Sequence, residues 1–436
     1  MTHSTTRLLS ALVILSASVP SGAADWPNWR GPFLNGSTDE QGLPDSWSLT
    51  DNVLWTASLP GPSAATPIIS KGKVFVSSTV KGSPDLVALC FDARTGRELW
   101  RKKLGESTRQ APNNTLATPS PAADGEHVCF LYGSGHLAGL DFDGNVLWQR
   151  NIETEYGNIA CQFGYGASPL IYDGRLFVSV LHRDKAWREP ISKEPLESFL
   201  LSVNPATGET LWKHRRVTDA LDESLDSYAS PIAYENAGRA EILLIGGDYV
   251  TAHEPQTGRE LWRYRYATEK NTRWRLIPSV VMGAGLIFGV QPRGGNLLFA
   301  VKSGGSGTLS REQVAWTYKG PTPDVSTPLF YRGNLYVLDG VERRAVVTCF
   351  EPQTGQVKWQ GKIGGNAPWR ASLTAADGKI YCINEDAQAI VLAASDDGLK
   401  VISHIDMQDG PIQASVAIAD GHLFIRTAGK LFCIGK

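Results

Sequence analysis

Beyond residue 24, the sequence has no run of about 18 consecutive apolar residues, so it lacks the continuous hydrophobic stretch that a transmembrane helix requires. An excess of either charge is also missing, since 42 Lys and Arg face 44 Asp and Glu and the formal net charge is −2. Because the basic residues are scattered as well, the chain has no charged surface of the kind that attracts nucleic acid or an anionic membrane.

Metal-site spacings are absent too. The six cysteines include no Cys-x-x-Cys pair and no adjacent pair, and the eight histidines form no His-Glu-x-x-His or His-x-His motif. Those are the spacings that protein zinc sites use. We therefore expect no metal site, and we interpret the cysteines as small buried strand residues.

The N-terminus has the order of a secretory signal. Arg7 precedes an apolar stretch over residues 8–19, and small residues follow immediately before Asp25. This pattern predicts a signal peptide over residues 1–24 and a periplasmic or secreted mature chain. No lipid-attachment cysteine follows the predicted cleavage site, because the first cysteine is Cys90.

What the sequence does contain is a repeat. The clearest copies are DARTGRELW (92–100), NPATGETLW (204–212), EPQTGRELW (254–262) and EPQTGQVKW (351–359). Eight units can be recognised, each opening with a small-residue signature such as Ala65-Thr66-Pro67 and continuing through a hairpin such as Asp173-Gly174-Arg175. They recur about every 50 residues, near the period of four-stranded propeller blades.

The two ends of the chain are predicted to share one blade. The eighth unit has only three strands and ends at Ile434, whereas residues 53–56 have the character of a fourth strand without the three before it. We therefore predict an all-β fold, an eight-bladed β-propeller over residues 51–436 with four-stranded antiparallel blades, the last closed by the N-terminal strand. Residues 25–50, rich in Trp and Pro, are predicted to form an arm packed on this single domain.

A tryptophan follows the Thr-Gly turn of most units. We expect glycine to supply the positive φ of the turn and the indole to pack on the neighbouring sheet. The predicted staples between blades are Trp100, Trp148, Trp212, Trp262, Trp316 and Trp359, with Ile402 in the seventh unit. The arm tryptophans Trp26, Trp29 and Trp47 are interpreted as anchors to the propeller.

The pattern small-x-acidic-x-x-Thr-Gly-x-x-x-Trp resembles the tryptophan-docking repeat of the pyrroloquinoline quinone (PQQ) family of β-propellers, over roughly residues 50–436. That family includes quinoprotein alcohol dehydrogenases and the BamB propeller of outer-membrane assembly. The opening stretch WPNWRGP (26–32) further resembles exported propeller proteins of planctomycetes and their relatives. The resemblance implies the fold and leaves the activity open.

For a quinoprotein dehydrogenase, the resemblance implies PQQ, a calcium or lanthanide ion, a carboxylate base and, in many members, a disulfide between adjacent cysteines. This sequence has no Cys-Cys pair, and no residues match the metal-binding Glu and Asn or the catalytic Asp of that family. We therefore expect neither catalytic residues nor a cofactor, and PQQ is kept only as part of an alternative.

The candidate ligand-binding residues lie in the segments just before the first strand of each unit, where propeller ligands meet one rim of the central channel. Arginines, amides and aromatic rings there can bind a carboxylate or phosphate, or stack on a sugar or quinone. The alternative is that they bond to one another and to water along a polar channel. The candidates are Arg109, Asn113, Asn114, Gln162, Tyr165, Tyr228, Arg273, Trp274, Arg275, Trp369, Arg370 and Gln413.

The function that these patterns favour is that of an exported, noncatalytic binding or scaffold module in the periplasm or cell envelope. Its partner would be a protein or peptide, or an anionic or sugar small molecule, without nucleic acid or stable membrane insertion, and the chain is expected to be a monomer. The alternatives are a PQQ-dependent oxidoreductase and a carbohydrate-binding propeller.

Overall fold

The computed structural model describes residues 25–109, 113–185, 196–291, 295–341 and 344–436. The predicted signal peptide, residues 1–24, lies outside the described residues. Among the described residues, no helix has the length and apolar character needed to cross a membrane.

The described residues are almost entirely β-strand and turn. The first half contains β1 (Val53–Ser58), β2 (Ile68–Ser70), β3 (Lys73–Thr79), β4 (Asp85–Asp92), β5 (Glu98–Glu106), β6 (Ala122–Ala123), β7 (His127–Leu131), β8 (His136–Asp141), β9 (Val146–Asn151), α1 (Ile152–Tyr156), β10 (Leu170–Tyr172), β11 (Arg175–Val180), β12 (Phe199–Val203) and β13 (Thr210–Arg215), followed by a 3-10 helix (Asp222–Leu225).

The second half continues in the same way. It contains β14 (Ile232–Asn236), β15 (Arg239–Gly246), β16 (Tyr249–His253), β17 (Glu260–Arg265), β18 (Val281–Gly283), β19 (Leu286–Gln291), β20 (Leu297–Lys302), β21 (Gly307–Thr308), a 3-10 helix (Arg311–Gln313), β22 (Val314–Lys319), β23 (Leu329–Tyr331), β24 (Asn334–Asp339), β25 (Val346–Phe350), β26 (Val357–Lys362), β27 (Thr374–Ala376), β28 (Lys379–Ile383), β29 (Gln388–Ala393), β30 (Val401–Asp406), β31 (Ala417–Ala419), β32 (His422–Arg426) and β33 (Lys430–Ile434).

These strands form eight sheets, which we number as blades from the N-terminus. Blades 1 to 7 are antiparallel meanders that begin at β2, β6, β10, β14, β18, β23 and β27. Blade 8 has the order β1-β33-β32-β31, with Trp55 opposite Cys433. The predicted eight-bladed propeller, closed by an N-terminal strand, is therefore confirmed.

The first strand of each blade faces the centre of the propeller. Neighbouring first strands contact one another, as β2 does with both β6 and β31. A closed ring of eight hydrogen bonds links the signature residues that precede these strands: in each, the backbone N–H donates to the side-chain hydroxyl of the next blade. We call it the hydroxyl ring. Its members are Thr66, Ser120, Ser168, Ser230, Ser279, Thr327, Ser372 and Ser415, and Ser415 donates back to Thr66.

The tryptophans bridge each blade to the next. Nε1 of Trp148 in blade 2 donates to Pro205 O of blade 3 at 2.7 Å, and its indole covers the Thr-Gly turn there. A Cβ on Gly208 would lie 2.6 Å from that indole, and φ of Gly208 is +76°. Glycine is thus required both for the backbone conformation and for the space. The same bond to the following blade is made by Trp55, Trp100, Trp212, Trp316 and Trp359.

Trp262 departs from this arrangement. Its Nε1 donates to Glu241 Oε2 at 2.9 Å within its own blade. Blade 5 lacks a Thr-Gly turn, and its longer connection instead supplies β21, which pairs in parallel with β17 as a fifth strand of blade 4. The missing turn leaves the indole N–H without a carbonyl in the next blade.

Ile402 is not the staple of blade 7, and that prediction was wrong by one residue. In the other blades, the staple lies opposite the third-strand residue just before a β-bulge. In blade 7 that third-strand residue is Val391, and the residue opposite it is Ser403. Ile402 is 42% exposed. The arm supplies an indole instead: Trp47 lies 6.4 Å from the ring of Tyr381 in blade 7 and donates to Met407 Sδ at 3.0 Å.

Small residues lie opposite the staples. The residue paired with Trp148 is Gly139, on which a Cβ would come within 2.3 Å of the indole. Cys90, Cys349 and Cys433 occupy this position in other blades. Their thiols are buried, as expected for small strand residues beneath an aromatic ring.

The arm crosses the centre of the propeller. Its first contacts are Trp26 with Ile69 of blade 1, Pro27 with Ala123 of blade 2, and Asn28 with Ile171 of blade 3. Arg30 then donates to Leu373 O of blade 7 at 3.0 Å and to Pro328 O of blade 6 at 2.9 Å. Because blades 2 and 3 lie opposite blades 6 and 7 in a circle of eight, this path spans the channel. The arm next follows blade 7 outward, where Tyr381 donates to Pro44 O, before it enters β1.

Replacing Gly208 by Ala should cost more stability than replacing Gly174 by Ala. Both glycines have positive φ, but a Cβ on Gly174 meets nothing within 4 Å. Each change costs about 1 kcal/mol for the left-handed backbone, and Gly208→Ala adds about 1 to 3 kcal/mol because the new methyl displaces the Trp148 indole. Denaturant unfolding measures both free energies. Equal losses would show that the staple does not depend on the turn.

Trp47→Ala should lower the free energy of unfolding by about 3 kcal/mol or more, because it removes a buried indole. The control is Leu49→Ala, at a residue that is 38% exposed; it should change stability by less than about 0.5 kcal/mol. The comparison uses urea unfolding of residues 25–436. A small effect for Trp47→Ala would mean that the arm does not staple blade 7.

Candidate functional site: a cup in the central channel

A cavity of about 220 Å³ lies at the centre of the propeller, on the side where the first strands begin. We call it the cup. Its walls come from the segments before the first strands, and its lining is both polar and aromatic. The lining residues are Trp29, Ala64, Asn113, Asn114, Thr118, Ser120, Phe163, Gly166, Ser168, Tyr228, Ser230, Arg275, Ile277, Asp324, Val325, Arg370, Ser372, Gln413 and Ser415.

The arm closes the cup from below. Trp29 lines the cavity, and its neighbour Arg30 is 1% exposed and bonds to carbonyls one residue beyond the hydroxyl ring. The Arg30 guanidinium carbon lies 5.6 Å from the centre of the Trp29 ring. Burial lowers the pKa of Arg30 to about 9, so the side chain remains charged at neutral pH. The channel is therefore blocked at one end and forms a cup rather than a pore.

The lower wall is a belt of hydroxyls. Five members of the hydroxyl ring line the cup, namely Ser120, Ser168, Ser230, Ser372 and Ser415. Each accepts a backbone N–H, and none gives its own proton to an acceptor among the described residues. All five side chains are buried. The belt thus offers hydroxyl donors directed at whatever fills the cavity.

The charged side chains of the cup are held in ion pairs. Arg275 makes a bidentate pair with Asp324, with both N–O distances 3.0 Å. Burial disfavours the charged guanidinium, but the hydrogen bonds and charge of Asp324 outweigh it and raise the pKa of Arg275 above its usual value. Arg370 pairs with Glu385 at 2.8 Å, and Gln413 donates to the same carboxylate oxygen at 2.6 Å. Among the described residues, each arginine that lines the cup is therefore paired with a carboxylate, whereas the charged Arg30 at the floor bonds to backbone carbonyls alone.

An aromatic group forms one side of the cup. Phe163 and Tyr228 have ring centres 6.4 Å apart, and Phe163 N donates to the Tyr228 hydroxyl at 3.1 Å. Arg275 lies over the Phe163 ring, with its guanidinium carbon 5.2 Å from the centre. Burial raises the pKa of Tyr228, which keeps its phenol neutral. The wall is consequently rigid and without acid–base reactivity near neutral pH.

Six of the twelve predicted rim residues meet at the cup, and six do not. Those that line it are Asn113, Asn114, Tyr228, Arg275, Arg370 and Gln413. Those that lie elsewhere are Arg109, Gln162, Tyr165, Arg273, Trp274 and Trp369.

The six residues outside the cup either bond to or pack against other residues or, in one case, are exposed to solvent. Arg109 is held by both oxygens of Glu153, and Gln162 accepts from Arg183. Three aromatic residues belong to the core: Tyr165, whose hydroxyl donates to Ser179 O, Trp274 and Trp369. Arg273 is exposed to solvent. The sequence predicted the correct loops but not which side chains face the cavity. Of the consecutive residues Arg273, Trp274 and Arg275, only Arg275 lines it.

Several site residues were not among the candidates. Trp29 was interpreted as an anchor, and its place in the cup follows from the path of the arm. Phe163 stands next to a candidate in sequence. Glu385 lies in the connection between β28 and β29, which reaches the same face as the segments before the first strands. A search of both sets of loops would have found it.

The residues of the cup do not fit a metal–quinone centre. Within the described ranges, no three His, Cys, Asp or Glu side chains lie together so that they could hold a metal ion. The carboxylates nearest the cavity, Asp324 and Glu385, are already engaged by arginines. The cysteines are all unpaired and none lines the cup. No reaction step through PQQ can be derived from this donor set.

The family model described as outer membrane protein assembly factor BamB matches residues 47–183, 159–360 and 248–431. The chain belongs to this BamB-like, PQQ-type propeller family. No curated relative matches the chain. Family membership accounts for the eight blades and their repeated signature.

The solved structures similar to this BamB-like propeller are named for different functions. The quinohemoprotein alcohol dehydrogenase from Comamonas testosteroni has a TM-score of 0.68 and 12% identity, covering 95% of this chain and 81% of its own. A europium-containing methanol dehydrogenase has a TM-score of 0.68 and 11% identity, covering 93% and 90%. BamB from Moraxella catarrhalis has a TM-score of 0.61 and 12% identity, covering 88% and 99%. At these identities the likeness shows the fold alone.

Asp324→Asn should convert the cup into an anion site. The variant removes the bidentate partner of Arg275 and leaves only the more distant Glu223, whose Oε1 lies 3.7 Å from Nε, which should lower the free energy of unfolding by about 2 kcal/mol. Inorganic phosphate at about ten times its dissociation constant should then restore about 1.4 kcal/mol to the variant and leave wild type unchanged. Thermal unfolding with and without phosphate measures both effects.

The matched control is Asp143→Asn, which makes the same change in charge at a side chain that is 85% exposed. It should show no phosphate response. If wild type and Asp324→Asn respond equally, the ion pair does not neutralise the cavity.

Proposed function

We propose that this chain is an exported, noncatalytic binding module of the cell envelope, which holds a ligand in the cup without transforming it. The observation that carries the proposal is the cup itself: a cavity blocked at one end, in which Arg275 and Arg370 are paired with carboxylates. The signal-like N-terminus and the description of the matching family as an outer-membrane assembly factor support an envelope location.

The construction of the cup supports binding. Its wall residues are fixed by bonds between blades, because the hydroxyl ring joins all eight signatures and the Arg275–Asp324 pair joins blades 5 and 6. Such fixed polar groups lose little conformational freedom when a ligand enters, which favours affinity. Because Trp29 and Arg30 close the floor, a ligand enters and leaves the cup through the same opening.

The ionisable groups also favour binding over catalysis. General acid–base chemistry needs a side chain that exchanges protons near the working pH. In the cup, the pKa values of Arg275 and Tyr228 are both raised, so neither side chain changes its protonation state at neutral pH. These groups hold hydrogen bonds rather than move protons.

The proposal predicts that a cup-filling variant loses its ligand. Gly166 lines the cavity without positive φ, and a Cβ there would meet Thr118 Cγ2 at 3.2 Å and Asn114 Nδ2 at 3.6 Å. Gly166→Leu should therefore project into the cup with a small shift of Thr118. Native mass spectrometry of protein isolated from its own cells should show a retained small molecule in wild type and none in the variant.

The control is Gly429→Leu, at a glycine whose added Cβ would meet only the Asp409 carboxylate, no nearer than 3.7 Å. It should retain the ligand. Purified chain should also show no change in melting temperature with PQQ and Ca²⁺ and no PQQ-dependent reduction of a dye by alcohols, since a ligand of the folded state raises stability. Saturable PQQ binding with dye reduction would replace the binding role by that of an oxidoreductase.

A further inference from the structure

We infer that the ligand of the cup is a neutral saccharide, one sugar ring of which enters the cavity against Trp29. This inference rests on the proposed binding role and names the ligand class. Four features of the cup point to it: the balance of charge, the hydroxyl belt, the indole at the floor and the amides at the rim.

The charge balance disfavours an ionic ligand. Arg275 spends both Nη atoms on Asp324, and Arg370 donates to Glu385. Among the described residues, an anion entering the cup would meet arginines already bonded to carboxylates, and the charged Arg30 lies against Trp29 with both Nη atoms bonded to backbone carbonyls. It would lose hydration without an uncommitted guanidinium to bind, whereas an uncharged polar molecule has a much smaller desolvation cost. The cup therefore selects for ligands that are polar and neutral.

The hydroxyl belt requires acceptor oxygens. Five buried serine hydroxyls line the lower wall, and each has a proton that no protein acceptor among the described residues receives. A buried donor without a partner is costly, so these serines favour an occupant with acceptor oxygens on the sides that face blades 2, 3, 4, 7 and 8. A sugar ring has such oxygens, since its hydroxyl and ring oxygens point outward in several directions.

The indole at the floor suits the apolar face of a sugar ring. Trp29 is the one arm tryptophan that lines the cavity, whereas Trp26 and Trp47 are buried in the core. Its Nε1 has no role in the blade contacts described above. The axial C–H bonds on one face of a pyranose pack on an aromatic surface while the hydroxyls at its edge remain free to bond. A rigid indole provides that surface at low entropic cost.

The amides at the rim complete the match. Asn113, Asn114 and Gln413 line the cup. Gln413 commits its NH₂ to Glu385 and leaves its carbonyl oxygen as an acceptor. Asn114 accepts from Thr115 N and Thr118 Oγ1 through its oxygen and leaves its NH₂ as a donor. Together the two amides therefore offer an acceptor and a donor to sugar hydroxyls. The hydroxyl belt below donates hydrogen bonds, and the amides at the rim both donate and accept them. This difference fixes the orientation of the sugar.

The test is titration calorimetry of residues 25–436 with defined probes. The neutral probes are glucose, galactose, mannose, cellobiose and maltose; the others are galacturonate, inorganic phosphate, and PQQ with Ca²⁺. At least one neutral probe should bind wild type, and Trp29→Ala should weaken it by about 10-fold or more, which is 1.4 kcal/mol. Trp29→Phe should retain part of the affinity, and Gly166→Leu should abolish it.

Arg273→Met is the matched control, because Arg273 is an exposed rim arginine that does not line the cup. It should bind like wild type. If Trp29→Ala loosens the arm, Gly166→Leu still tests the site. Unchanged urea unfolding of Gly166→Leu would show that its loss of binding comes from filling the cavity.

The outcomes separate this inference from the proposed function. If only galacturonate or phosphate binds and Gly166→Leu abolishes it, the cup is a binding site but the saccharide inference is overturned. If PQQ with Ca²⁺ binds and supports dye reduction, both are overturned. If none of the neutral probes binds at about 10 mM, a range where even weak complexes are populated, the saccharide inference is likewise overturned.

Discussion

The hydroxyl ring is the interaction on which the rest of the structure depends. Each of its bonds satisfies a buried backbone N–H with a hydroxyl from the next blade, and each is worth about 1 kcal/mol net, with a larger penalty if the N–H is left unpaired. The bond from Ser415 back to Thr66 closes the ring, so all eight blades are joined to both of their neighbours. Five of these hydroxyls, whose protons go to no acceptor among the described residues, form the lower wall of the cup. One set of side chains therefore both joins neighbouring blades and makes the cavity polar.

The repeat made most of the fold predictable. The signature, the Asp-Gly hairpin, the Thr-Gly turn and the tryptophan each have a local physical cause, and the unpaired fourth strand at residues 53–56 predicted closure of the last blade. Blade 7 shows where this reasoning ends. The register that places Ser403 rather than Ile402 opposite Val391 follows from a longer turn, since Ala393 N bonds to Lys400 O there whereas Asp92 N bonds to Arg97 O in blade 1. The indole that replaces the missing staple comes from Trp47, more than 300 residues away in the chain.

The site was predictable to the level of loops and not of side chains. The segments before the first strands do surround the cup, but whether a residue faces the cavity or the core depends on backbone direction over one or two positions. Arg275 points inward beside Trp274, which joins the core of blades 4 and 5. The floor could not be foreseen at all, because it results from an arm that crosses the propeller. The fold alone does not determine which side chains face the channel.

The crossing arm also affects how the protein is made. Arg30 bonds to a carbonyl 343 residues further along the chain, and β1 waits for β33 before blade 8 exists. Contacts between such distant parts of a chain form late in folding. The floor of the cup cannot therefore assemble before residue 373 is synthesised, and the last blade cannot assemble before β33. A product cut short before β33 would leave β1 without its partner strand, so closure of the propeller depends on the final residues of this sequence.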